Sequence, residues 1–95
     1  MEYILFIHNN SDVTPTDEAW QMFFEAARAS GMFQGGSAIA NAMQLGNKPV
    51  AATTASVGGF MRFASNDRQA VIELLHQHPV LVNGGTLELC EMPSS

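Results

Sequence analysis

Three histidines, an arginine inside an apolar run and a few carboxylates are the side chains of this sequence best suited to move a proton or hold an anion. His8 closes the apolar stretch YILFIH, and an imidazole can accept or release a proton near neutral pH. Asp12 follows four residues later in a polar turn, where it is expected to orient that ring. Arg62 stands beside Phe60 in VGGFMRFA, and a guanidinium within a sheet needs a carboxylate or a bound anion. Glu88, alternating with Thr86 and Cys90, is the expected carboxylate. His8, Arg62 and Glu88 are thus expected to line one face across three neighbouring strands, with Phe60 against the apolar body of a ligand. The plainer alternatives are a strand-end histidine bonded to backbone and a structural Arg62–Glu88 pair without a ligand.

His76 and His78 form a different pattern. Residues two apart on a helix do not face each other, and no third ligand stands near, so the pair predicts no metal site. His78 falls with Val71, Leu74 and Leu75 at helical spacing, which places it on the buried stripe and leaves His76 in solvent. His78 is a further catalytic candidate at a cavity rim; its plainer role is a helix-end histidine that favours the C-terminal dipole when protonated. Cys90 reads as a small hydrophobe within a strand. Asn83-Gly84-Gly85 could offer backbone N–H groups to an anion, or simply supply positive φ before a strand.

The elements that must position these groups follow from periodicity. Glu2 to His8 is β-branched and aromatic with both faces apolar, as in a central strand. Thr14 and Pro15 read as cap and first turn of a helix reaching about Ser30, with Gly31 as its left-handed stop. Its polar stripe is Glu18, Gln21, Glu25 and Arg28; the remaining arc, with Trp20, Phe23 and Phe24, is wider than one sheet contact needs. A short strand is expected from Gly35-Gly36 to Ala40, and a turn at Gly46 to Pro49. Val50 to Thr54 is either a second hairpin arm or a loop. Val57 to Ala64 is a strand, Ser65 or Asn66 caps a second helix that Pro79 stops at His78, and Val80 to Gly85 is a loop. Thr86 to Met92 is the last strand, followed by a frayed tail, PSS. This order is the split βαβ pattern of an α+β, ferredoxin-like fold.

Ninety-five residues make a single domain, 1–95. With 46% of its residues apolar and only 14% charged, the chain has little polar surface, so its open sheet face calls for a roof. Two copies packed face to face supply one, which predicts a homodimer enclosing a cavity. A net charge of −5 without a basic cluster argues against nucleic acid and anionic membranes. YILFI is too short, and lacks the basic flank, for a signal peptide or a span, so the expected compartment is the cytoplasm.

The motifs MEYILFIH, ASGMFQGGSAI and VGGFMRFASNDRQAVIELLHQHPVLVNGGTLELCEM resemble the YCII-related family, the group that also carries DGPF-type domains. The likeness lies in the GGF strand opening, the polar helix cap, the HP helix end and the final GGT-apolar-Glu-apolar strand. It implies a dimeric α+β barrel. The DGPF segment is missing, with AATTASVGGF in its place, and the aspartate-before-proline of the family's proposed His–Asp site is matched by His78 before Pro79. The wider barrel superfamily includes isomerases, eliminating lyases and cofactor-free oxygenases.

Two functions follow. The first is a cofactor-free acid–base enzyme, an isomerase or eliminating lyase, in which His8 shuttles a proton and Arg62 holds an anionic or enolic oxygen. The alternative is a non-catalytic module that binds a small molecule or serves assembly.

Overall fold

A computed structural model of the chain describes residues 1–94; Ser95, the last residue of the expected tail, lies outside them. The elements are β1 (Glu2–His8), α1 (Asp17–Ala29), β2 (Phe33–Ala38), β3 (Val57–Ala64), α2 (Arg68–Leu75), the single turn α3 (Pro79–Val82) and β4 (Leu87–Met92). The strands form one antiparallel sheet in the order β2-β3-β1-β4. This is the split βαβ arrangement of a ferredoxin-like α+β fold, with the first and third strands central.

The two apolar faces of β1 have different neighbours. Tyr3, Leu5 and Ile7 are buried beneath the helices with Met61 and Phe63 of β3, Phe23 and Ala27 of α1, and Val71, Leu74 and Leu75 of α2. Ile4 and Phe6 point the other way and are half-buried, as is Phe60 across from Phe6. Arg62, Glu88 and Cys90 are exposed on that same open face. The open face is therefore apolar in the middle and polar at its margins.

Several boundaries differ from the sequence reading. Thr16, not Thr14, caps α1: its hydroxyl accepts the Ala19 N–H at 3.1 Å, and Pro15 precedes the cap. Asp67, rather than Ser65 or Asn66, caps α2 by accepting from Gln69 N–H at 3.0 Å, while the Ser65 hydroxyl accepts from Asp67 N–H. Strand β2 begins at Phe33 and stops at Ala38, and Val50 to Thr54 forms no hairpin arm, so β2 pairs with β3 alone and stands at the edge of the sheet. Residues 39–52 have no regular structure, and a 3₁₀ turn at Thr53–Ala55 follows them. Pro79 does not lead into a loop. It opens α3, since its fixed φ suits the first helical position. Gly31 ends α1 at φ +75, as its position suggests.

Gly36 is required by contact rather than by dihedral. A Cβ there would run into the Phe60 carbonyl oxygen and stand 2.9 Å from Met61 Cα, so only glycine lets β2 close on β3. Gly36→Ala is expected to cost roughly 2 kcal/mol or more, the range of backbone-clash substitutions. Urea unfolding measures it, and an unchanged midpoint would show that β2 is free to shift.

Candidate functional site

His8 lies at the end of β1, where the register with β3 breaks. Ile7 pairs with Gly59 but His8 pairs with Val57, leaving Gly58 as the extra residue of a β-bulge. The bulge brings Ser56, just before β3, up to the imidazole: His8 Nδ1 and Ser56 Oγ are 2.7 Å apart. On the other side, His8 Nε2 meets Glu88 Oε1 of β4 at 2.5 Å. Three neighbouring segments thus place one chain of hydrogen bonds, Ser56–His8–Glu88, across the end of the sheet.

The carboxylate decides the tautomer. Glu88 can only accept when ionised, so the proton rests on Nε2 and the Nδ1 lone pair accepts from the Ser56 hydroxyl. The His8 side chain is 14% exposed whereas that of Glu88 is 58% exposed, so a largely covered ring is held by a carboxylate that stays in contact with solvent.

Two recesses flank this chain. The larger, about 820 Å³, runs between α1 and the β2–β3 side of the sheet and is lined by His8, Trp20, Phe24, Phe33 and Phe60 among others. The smaller, about 440 Å³, is lined by Phe6, Ile39, Thr54, Val57, Glu88 and Cys90 on the open face. Both are mostly apolar with a few polar groups converging at one end, the composition of small-molecule sites.

The sequence candidates distribute as follows. His8, Phe60, Arg62 and Glu88 share the open face, as alternation along β1, β3 and β4 requires. Arg62 and Glu88 do not pair. Arg62 is across from Ile4 and Glu88 across from Phe6, with β1 between them, and the nearer imidazole takes the carboxylate. Among the described residues the Arg62 guanidinium reaches only the Gln34 carbonyl, at 3.5 Å. Four residues of β1 separate the His8 and Arg62 rows, roughly 13 Å along the strand. Asp12 does not orient His8, both of whose ring nitrogens are engaged by Ser56 and Glu88. Its N–H donates to the Asn83 carbonyl at 2.8 Å, and its carboxylate fills the space beside Gly84, whose φ is +86. That loop takes positive φ, and Asn10 pins it further through paired bonds with Thr86.

His78 is displaced from the rim expected for it. It is fully buried on the helix side, at the N-cap of α3 rather than the end of α2. Its ring centroid is 4.7 Å from that of Phe23 and 5.0 Å from that of Trp20 in a T-shaped arrangement. Nδ1 accepts the Val80 N–H at 3.1 Å, and Nε2 has no hydrogen-bond partner among the described residues. Burial lowers the pKa to about 4, so the ring is neutral and does not serve a helix dipole as a cation. His76 is exposed, as its spacing implies.

No family model and no curated protein matches this chain. A solved structure similar to it is 5-chloro-2-hydroxyhydroquinone dehydrochlorinase from Burkholderia phenoliruptrix AC1100, in complex with 2,5-dihydroxybenzoquinone. The likeness covers 100% of this chain and 96% of that one, at 11% identity and a TM-score of 0.48. Among the described residues no group of His, Cys, Asp and Glu is arranged to hold a metal, and no helix is long and apolar enough to cross a membrane.

Ser56 is the site residue that sequence spacing missed. It lies 48 residues from His8, and only the bulge at Gly58 joins them. The available signal was GG after a serine at a strand start, a pattern common to many turns.

The depressed pKa of His78 carries a stability consequence. The unfolded chain takes up a proton near pH 6.5 that the fold resists down to about pH 4, so stability is lost as pH falls through that window. Between pH 7 and pH 4.5 this group alone should remove about 2–3 kcal/mol. His78→Asn keeps a capping acceptor for Val80 N–H but cannot titrate, so urea unfolding should show a shallower acid loss in the variant. Equal acid losses would assign the effect to other groups.

Proposed function

We propose that this chain is a YCII-related, cofactor-free acid–base enzyme of the isomerase or eliminating-lyase kind, working as a homodimer on a small oxygenated compound. The observation that carries the reading is the engagement of both ring nitrogens of His8 between Ser56 and Glu88, whose carboxylate borders the apolar recess of the open face. Glu88 fixes the ring and stabilises the imidazolium formed when Nδ1 takes a proton. A substrate C–H or O–H reaches Nδ1 by displacing the Ser56 hydroxyl or by relay through it. Phe60 lies along the strand between His8 and Arg62, so the bound molecule has a reacting end, an apolar middle and an anionic end at Arg62. A cavity between two subunits is the setting the notion of a roofed sheet requires. The half-buried Ile4, Phe6 and Phe60 support it, as does the charge-poor composition. The cytoplasm is the compartment proposed.

Three measurements test this reading. A thermal-shift screen of hydroxylated ring compounds and hydroxy acids should yield stabilising ligands, and wild type should exchange their acidic C–H protons for deuterium. His8→Ala should slow that exchange by roughly 10²–10⁴, the usual share of a positioned acid–base group. Ligand binding retained by His8→Ala, with no exchange even in wild type, would instead establish the binding module. Sedimentation equilibrium at micromolar concentration should give about twice the 10.2 kDa chain mass. A stable monomer there would remove the roof and the cavity with it.

A further inference from the structure

The geometry points to a second activity at the same place: Ser56 is an activated nucleophile that accepts acyl groups from small apolar esters. The inference shares His8 with the acid–base reading but requires neither its substrate class nor a dimer. Nucleophilic serine chemistry needs a hydroxyl bonded to an imidazole whose far nitrogen is bonded to a carboxylate. Those conditions are met at 2.7 Å and 2.5 Å by residues from three different segments. Glu88 holds the proton on Nε2, which leaves Nδ1 as the base facing Ser56 Oγ. The nitrogens are used in the opposite order to that of the familiar serine proteases, in which Nε2 faces the hydroxyl, but either ring nitrogen can serve as base.

Position supports reactivity as well as contact. Ser56 is exposed, in a bridge-region conformation at φ −111 and ψ −13 after the 3₁₀ turn, where active-site residues are found. Thr54 and Val57, on either side of it in sequence, line the apolar recess of about 440 Å³ with Phe6 and Ile39, a space suited to a short acyl chain. Asn9 follows His8, and its backbone N–H donates to the Ser56 carbonyl at 2.6 Å. Its carboxamide occupies the space that a Cβ on Gly58 would take, so glycine at the bulge is what leaves room for the Asn9 side chain.

The step balances without a cofactor. Ser56 Oγ bonds to the ester carbonyl carbon as its proton passes to His8 Nδ1, and the tetrahedral adduct then expels the alcohol, which takes that proton. Water adds to the acyl-serine with the same proton path, releasing the carboxylic acid and restoring the hydroxyl.

A fluorophosphonate probe tests this on the full chain. Wild type should gain one adduct, mapped by peptide mass spectrometry to Ser56, and should hydrolyse p-nitrophenyl butyrate with an initial burst of about one equivalent. Ser56→Ala should abolish the adduct, and Glu88→Gln should slow labelling by roughly 10-fold or more, since the carboxylate sets tautomer and orientation. Absence of the adduct from folded wild type, or its appearance at another serine, would overturn the inference. Either result leaves the deuterium-exchange test of His8 intact, so the two readings fail separately.

Discussion

The pairing of β1 on both edges is the constraint from which the rest of the molecule follows. A strand with antiparallel partners on each side has no freedom of register, so every residue along it has fixed neighbours on β3 and β4. Its alternation then assigns Tyr3, Leu5 and Ile7 to the helix-covered core and Ile4, Phe6 and His8 to the opposite face. A slip of one residue would bury the imidazole under the helices and expose the core. Burial of Leu5 and its neighbours therefore holds His8 in place, although none of them touches it through a polar group.

The bulge at Gly58 is the one departure from that regular ladder, and it is located where the candidate chemistry is. Without it, Ser56 would continue the pairing past the end of β1 instead of turning toward the ring. The extra residue costs a ladder position and is tolerated at the sheet's end, where the pairing is about to stop. Gly58 also leaves room for the Asn9 carboxamide. Local irregularity and the polar cluster are thus two aspects of one arrangement, with a rigid sheet on one side and the irregular segment 39–52 on the other.

The two buried or half-buried histidines show how environment separates identical side chains. His8 has a carboxylate on one nitrogen and a hydroxyl on the other, so its ring is oriented and its proton is placed. His78 has a backbone N–H on one nitrogen, aromatic rings around it, and among the described residues no partner on the other nitrogen. Desolvation keeps it neutral, and it serves as a capping aromatic that joins α1 to α3. The cost of its unpaired nitrogen is offset by the packing of Trp20 and Phe23 and by the cap it provides to Val80.

Periodicity in the sequence determined the strand and helix pattern apart from the turn α3, the apolar character of both faces of β1, the burial of His78, the exposure of His76 and the side of its own strand on which each of His8, Phe60, Arg62 and Glu88 stands. Each of these depends on spacing within a single element, and local spacing fixes which side of a strand or helix a residue occupies. Which helix residue served as cap was less legible, because Thr14, Thr16, Ser65, Asn66 and Asp67 are all competent and only the surrounding chain path selects among them. Tertiary structure alone decided that Glu88 binds His8 and not Arg62, that Asp12 turns to the Gly84 loop, and that Ser56 joins the ring from 48 residues away. The physical reason is that partner choice between strands depends on register and on a one-residue bulge, quantities set by the packing of the whole sheet and carried by no single stretch of sequence.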